Sequence, residues 1–213
     1  MLKFFEKFLD YIFCKKCYLC HSEDENTVLC SKCYNNLEKN PSKLFLNKDT
    51  QISFYAAGIY NNELKQLIKG LKFHRQKDIA KPIAKFMYEY WQTLDIKQEK
   101  CIVIAVPQYI KTRKPYNHAQ EIAKEFAKLA GYECDFSLIK RIKKTKPQYK
   151  LNPKERKENL AGAFKLSKEI DKNAVYIIID DIITTSATIE QVQKTLCTKN
   201  IVFCATMTEA YLK

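Results

Sequence analysis

An open, mainly parallel α/β sheet with helices on both faces, preceded by a small cysteine ribbon, is the fold this sequence predicts, on three observations. Two apolar, β-branched runs, "CIVIAVP" from Cys101 and "VYIII" from Val175, have the composition of strands buried on both faces. Segments with apolar residues at three- and four-residue spacing alternate with such runs, the pattern of β-α-β units. Five cysteines crowd between positions 14 and 33 of the 213-residue chain, a density that a metal-held ribbon explains.

The N-terminus, "MLKFFEKFLDYIF", puts Leu2, Phe5, Leu9 and Ile12 on one face and reads as a short amphipathic helix. It is expected to pack on its own protein, with a peripheral membrane or partner contact as the alternative. Lys3, Glu6, Lys7 and Asp10 interrupt it and no small-residue cleavage site follows, so it is no export signal and a cytoplasmic location is expected. No apolar run approaches the ~20 residues that span a bilayer.

Cys17, Cys20, Cys30 and Cys33 then form two C-x-x-C pairs across a nine-residue loop. Each pair can turn both thiolates onto one ion, which gives the closed tetrahedral arrangement of a structural zinc site. Cys14 is a spare that can exchange with Cys17. "CYLCH" also matches covalent haem attachment with His21 as axial ligand, and paired redox thiols are a third reading. Haem would leave Cys30 and Cys33 without a role, so zinc is preferred. Cys101, Cys134, Cys197 and Cys204 lie in or beside apolar runs and are expected in the core.

The helix and ribbon are expected over residues 1–36 and the sheet domain over 51–213, joined by a polar linker at 37–50. "ISFYAAGIY" has strand composition. Glu63 to Gly70 reads as a helix closed by its glycine, and Asp78 to Trp91 as another. After "CIVIAVP" comes a basic loop, Gln108 to His118, whose Lys111, Arg113 and Lys114 leave the carboxyl end of a strand, where open α/β sheets place ligands. Asn117 to Ala130 is a helix ended by Gly131, and "IVFCAT" is a last strand.

Between them, Val175 to Thr188 carries the densest chemistry. The apolar run leads into Asp180 and Asp181 and then into Thr184, Thr185, Ser186, Ala187 and Thr188, with a helix expected to begin near Thr185. Backbone N–H groups and hydroxyls in such a turn suit a phosphate. The acids can accept hydrogen bonds from sugar hydroxyls or face a bound Mg²⁺. Sugar on the acids and phosphate on the amides describes a ribose 5-phosphate, and Arg113 and Lys114 could hold a pyrophosphate that the acids cannot.

Lys plus Arg number 37 against 24 Asp plus Glu, a net charge of +13 that favours polyanionic partners. Lys140 to Lys157 is the densest cationic series, and Lys143, Lys144 and Lys146 with Tyr149 have the makings of a single-strand track. A lid over the ligand site is the alternative for the same segment.

Val175 to Thr188 resembles the phosphoribosyl pyrophosphate motif of type I phosphoribosyltransferases, with Ser186 in place of the turn glycine. The likeness then extends over nearly the whole chain. A cysteine ribbon, a valine-proline strand end, a basic loop entering an N-x-A helix and the series Gln148, Leu151, Arg156, Asn159, Gly162, Ala163 and Phe164 precede the acid pair. This order resembles the ComF family of competence proteins. The family's Arg-Gly-Phe-Asn-Gln signature appears as Lys114, Pro115, Tyr116, Asn117 and His118, so that Asn117 alone is retained outright.

The resemblance implies a type I phosphoribosyltransferase-like sheet and a phosphoribosyl pyrophosphate site with Mg²⁺. It also implies handling of single-stranded DNA in natural transformation, alongside DNA-uptake proteins. No residue set near the acids announces an acceptor site, so no catalytic residue is assigned and turnover is left open. The alternative is a metabolic phosphoribosyltransferase that passes ribose 5-phosphate to a nucleobase or amine.

Overall fold

The computed structural model describes residues 15–23, 25–47, 52–74, 76–96, 100–109, 116–145, 158–184 and 187–212. A short helix α1 (Ser31–Asn35) precedes strands β1 (Ser42–Asn47) and β2 (Ile52–Ile59) and helix α2 (Asn62–Phe73). A 3₁₀ turn, Lys77–Ile79, leads into α3 (Ala80–Trp91), followed by β3 (Cys101–Ala105), α4 (His118–Ala130) and β4 (Glu133–Cys134). Then come β5 (Ile139–Arg141), β6 (Phe164–Leu166), β7 (Val175–Ile183), α5 (Ala187–Leu196) and β8 (Asn200–Met207).

Six strands form one sheet in the order β1-β2-β8-β7-β3-β4. Every pairing in it is parallel except β1 on β2 at one edge. Strands β5 and β6 form a separate antiparallel pair. The two-residue period of the central strands divides their apolar runs between two faces. Val175, Ile177 and Ile179 of β7 join the buried cluster of α2, α3 and α4, whereas Tyr176 and Ile178 join that of α5. Both faces are therefore covered, as the continuous β-branched runs predict. Each fully buried Leu, Ile or Phe, such as Leu67, Ile83 or Phe126, contributes roughly 1.5–3 kcal/mol.

Helix α4 starts and stops as its sequence predicts. Asn117 stands at its N-cap and donates Nδ2 to the carbonyl of Val106 at 2.9 Å, while Gly131 closes it in the left-handed region at φ 71°. Helix α2 differs from expectation: it passes through Gly70 and ends at Phe73. Gly70 is there for space, because a Cβ would stand 2.6 Å from Cζ of Tyr18 in the ribbon and 2.6 Å from Cδ1 of Ile79.

The polar stretch read as a linker contains β1, which adds an antiparallel edge to β2. Leu29 and Tyr34 from the ribbon, with Leu37 just after it, lie in the same buried cluster as α2 and α3. Cys101 and Cys204 are buried as expected, but Cys134 and Cys197 are exposed. Cys134 sits on the two-residue edge strand β4, and Cys197 just past the end of α5. The N-terminal amphipathic segment and Cys14 lie outside the described residues. No helix among the described residues is long and apolar enough to cross a membrane.

Candidate functional site

The four cysteines converge. The sulfur atoms of Cys17, Cys20, Cys30 and Cys33 all lie within 4.8 Å of one another, with Cys20 and Cys30 at 3.7 Å. A tetrahedron with Zn–S bonds of ~2.3 Å has edges of about 3.8 Å. The two arms are tied by the Tyr18 N–H, which donates to the Val28 carbonyl at 2.8 Å. Burial would raise the Cys17 thiol, but N–H groups of Cys20, Cys30 and Leu19 directed at it bring its pKa down to about 6. A thiolate at neutral pH is the form a metal takes. The set fits a metal ion such as zinc, and the convergence of both pairs on one centre disfavours the haem reading.

The acid pair sits on β7, three and two residues before the strand's end, where the sequence alone places it at the end of the apolar run. The pleat sends adjacent side chains to opposite faces. Asp180 pairs in register with Cys204, a residue of the α5-side cluster, and is half-buried. Asp181 is buried on the α2 side, where Lys72 Nζ stands 2.7 Å from its Oδ1. Burial would lower the Lys72 ammonium, yet the Asp181 carboxylate holds it above its usual range. Burial first, and the charge of Asp181 second, push Asp180 up to about 7, against the pull of Lys72. Among the described residues the site thus carries two adjacent acids and a half-buried cation, Lys72.

A pH dependence follows. Asp180 has an ordinary value of 3.8 and a folded value of about 7, so the folded protein keeps a proton that the unfolded chain releases. Stability is lost as pH rises from about 4 to about 7. Asp180→Asn should therefore melt with the parent near pH 4 and above it at pH 8. The expected gain is roughly 3–5 °C, discounting for the exposed part of the carboxyl. Identical melting at pH 8 would remove the buried-charge account of this residue.

Beyond the acids, Thr184 is exposed, Ala187 is buried and Thr188 is half-buried in the first turn of α5. Thr185 and Ser186 lie outside the described residues, as do Arg113 and Lys114 of the basic loop. Lys143 and Lys144 are exposed, while Lys146 and Tyr149 lie outside the described residues.

A cavity of about 680 Å³ opens at the end of β3 beside the N-terminus of α4. Tyr116, Asn117 and Phe136 wall it, and Lys77, Lys140 and Arg141 bring positive charge. Arg141 lies over the Phe164 ring at 5.6 Å, and its guanidinium meets the Thr145 hydroxyl. Its buried Nε has no hydrogen-bond partner among the described residues, an arrangement that an anionic group would complete. Tyr116 links this cavity to the acid pair: its hydroxyl donates to the carbonyl of Leu71 at 2.6 Å, and Leu71 precedes Lys72. The ammonium of Lys77 stands 4.9 Å from the centre of the same ring.

The sequence alone singles out neither Lys72 nor Arg141. Lys72 falls four residues after Ile68 and eight after Leu64, a lysine on the buried stripe of α2. That misplaced charge is its signal. Arg141 is hidden inside a lysine-rich run and has none.

The sheet, the acid pair on the strand that precedes α5 and the four-cysteine ribbon define an α/β protein with an appendage whose cysteines could hold a metal ion. Comparison with known proteins then narrows the class. The chain is 29% identical over 189 residues to Competence protein F of Haemophilus influenzae, covering 84% of this chain and 78% of that protein. It is 26% identical over 144 residues to the DNA utilization protein YhgH of Salmonella typhimurium, and 24% to that of Escherichia coli. These alignments cover 64% of this chain and span 62% of each relative's length. No protein-family model matches the chain. The matches support its assignment to the ComF family, in agreement with the motif order.

Proposed function

We propose that this chain is a cytoplasmic competence protein that handles single-stranded DNA and binds phosphoribosyl pyrophosphate with Mg²⁺. The observation that supports the reading is the acid pair of β7, followed in the chain by the first turn of α5, with the cavity of Lys77, Lys140 and Arg141 at the end of the neighbouring strand β3. In this reading Asp180 and Asp181 serve the ribose hydroxyls and Mg²⁺ between them, and the 5-phosphate takes the turn from Thr184 to Thr188. The pyrophosphate end faces Arg113 and Lys114 together with the cavity of Lys77, Lys140 and Arg141. Mg²⁺, when bound with the ligand, would neutralise its phosphate charge. A structural zinc at Cys17, Cys20, Cys30 and Cys33 holds the ribbon.

The names of the relatives and the net charge of +13 support the DNA role. Phosphate contacts release counterions, so affinity for an oligonucleotide should fall steeply with salt, about −0.7 in slope per phosphate neutralised. Changing Lys143, Lys144 and Lys146 to alanine should weaken binding and flatten that slope by about 2. Tyr149→Ala should weaken binding by roughly 1–3 kcal/mol with the slope kept, because stacking releases no counterions. Fluorescence titrations at several salt concentrations measure both. Identical slopes for the lysine variant and the parent would remove this segment from the DNA track.

A second reading, a metabolic phosphoribosyltransferase, is favoured by the aromatic walls of the cavity, Tyr116 and Phe136, which suit a flat acceptor. Ribose 5-phosphate transfer to a nucleobase, with no DNA affinity at low salt, would select it.

A further inference from the structure

The cysteine ribbon touches the helix that serves the acid pair. Tyr18 lies between the two cysteines of the first C-x-x-C. Its ring packs where Gly70 leaves out a side chain, with a Cβ there only 2.6 Å from Cζ. Its hydroxyl is 2.8 Å from Nδ1 of His74, the residue that caps α2. A third contact pins the same junction, as Lys15 Nζ reaches Asp78 Oδ2 at 2.9 Å. Between Gly70 and His74, on the same last turn, stands Lys72 with its ammonium 2.7 Å from Asp181.

We propose that the ribbon is a positioning element for the phosphoribosyl site, and that Tyr18 is the residue through which it acts. Tyr18 holds the last turn of α2 at Gly70 and His74. This aims Lys72 at Asp181 and supplies the cation that balances two adjacent acids in a buried setting. A longer side chain at position 70, or a smaller one at position 18, lets that turn shift. The Lys72 ammonium must lie within about 3 Å of the carboxylate to keep its hydrogen bond, so a displacement of an ångström or two is enough to lose it. The ribbon is then coupled to ligand binding without touching the ligand. The positioning of Lys72 stands on the geometry alone, and its consequence for the ligand rests on the function proposed above.

The test uses the full zinc-loaded chain with Tyr18→Ala, Tyr18→Phe and Gly70→Ala. Acetylation of Lys72 by an amine-reactive ester is followed by mass spectrometry, with the exposed Lys165 as internal reference. Lys72 should react slowly in the parent, because its amine is half-buried and ion-paired. In Tyr18→Ala and Gly70→Ala it should react at least fivefold faster with zinc still at one per chain. Tyr18→Phe keeps the ring but loses the bond to His74, so it should fall between, about twofold faster. Unchanged Lys72 reactivity in Tyr18→Ala with zinc retained would overturn the proposal. If that variant loses its zinc, Tyr18→Phe decides in its place, and parent-like reactivity there overturns it equally.

A second arm measures phosphoribosyl pyrophosphate with Mg²⁺ by titration calorimetry, and Tyr18→Ala should bind about tenfold more weakly than the parent. No binding by the parent would defeat the phosphoribosyl reading, while the acetylation rates would still decide whether the ribbon positions Lys72.

Discussion

Replacing Cys30 and Cys33 together by serine is expected to take the metal content from one zinc per chain to none and to melt the ribbon. The four sulfurs already stand within 4.8 Å of one another, close to the spacing of ligands at the corners of a tetrahedral zinc site. Metal binding at such a site is local folding energy. With the metal gone, Leu29, Tyr34 and Leu37 lose the frame that presses them into the α2 and α3 cluster, at roughly 1.5–3 kcal/mol for each large side chain. Melting should fall on the order of 10 °C for a chain of this size. The parallel sheet should survive, since β7, β3 and β8 bury their own runs on both faces. Elemental analysis with far-ultraviolet circular dichroism separates the two effects. Purified, unchelated parent protein without stoichiometric zinc would contradict the assignment.

How far the fold could be read in advance depended on whether a signal was local. The β-branched runs of β3 and β7, and α4 with its asparagine start and glycine stop, announce themselves because hydrophobic period and cap chemistry are properties of adjacent residues. Gly70 misleads for the opposite reason. Its glycine answers to Tyr18, more than fifty positions away, so a helix interior imitates a helix end. β1 escapes because an edge strand buries one face at most and its sequence, "SKLFLN", reads as polar linker. Cys134 and Cys197 flank apolar runs yet stand where those runs reach the surface.

The candidate site divides the same way. Adjacent acids and hydroxyls are visible as a motif, and two C-x-x-C pairs specify their own convergence. Lys72 and the Arg141 cavity arise from tertiary packing. The first needs α2 laid beside β7, and the second needs β5 brought to the end of β3, where Tyr109 bridges Arg141. The opposed directions of Asp180 and Asp181 follow from β7 continuing as a strand through both, which an apolar run ending at Ile179 conceals.

The claim at the centre of this account is that Asp180 and Asp181 receive a phosphoribosyl ligand. Neutralising both, as Asp180→Asn with Asp181→Asn, removes the negative charge that the ribose hydroxyls and Mg²⁺ would meet, while the amide oxygen at position 181 can still accept from Lys72. The fold should tolerate the change, since amide and carboxylate are nearly isosteric and Asp180 sheds a charge that its burial disfavours. Ligand at 100 times its dissociation constant stabilises by about 2.7 kcal/mol, roughly 5–10 °C in a domain of this size. The direct measurement is therefore thermal unfolding at increasing phosphoribosyl pyrophosphate with Mg²⁺, run on the parent and the double variant with zinc confirmed in both. The parent's melting temperature should climb with ligand and the double variant's should stay flat. An equal climb in both, or none in the parent, would contradict the account.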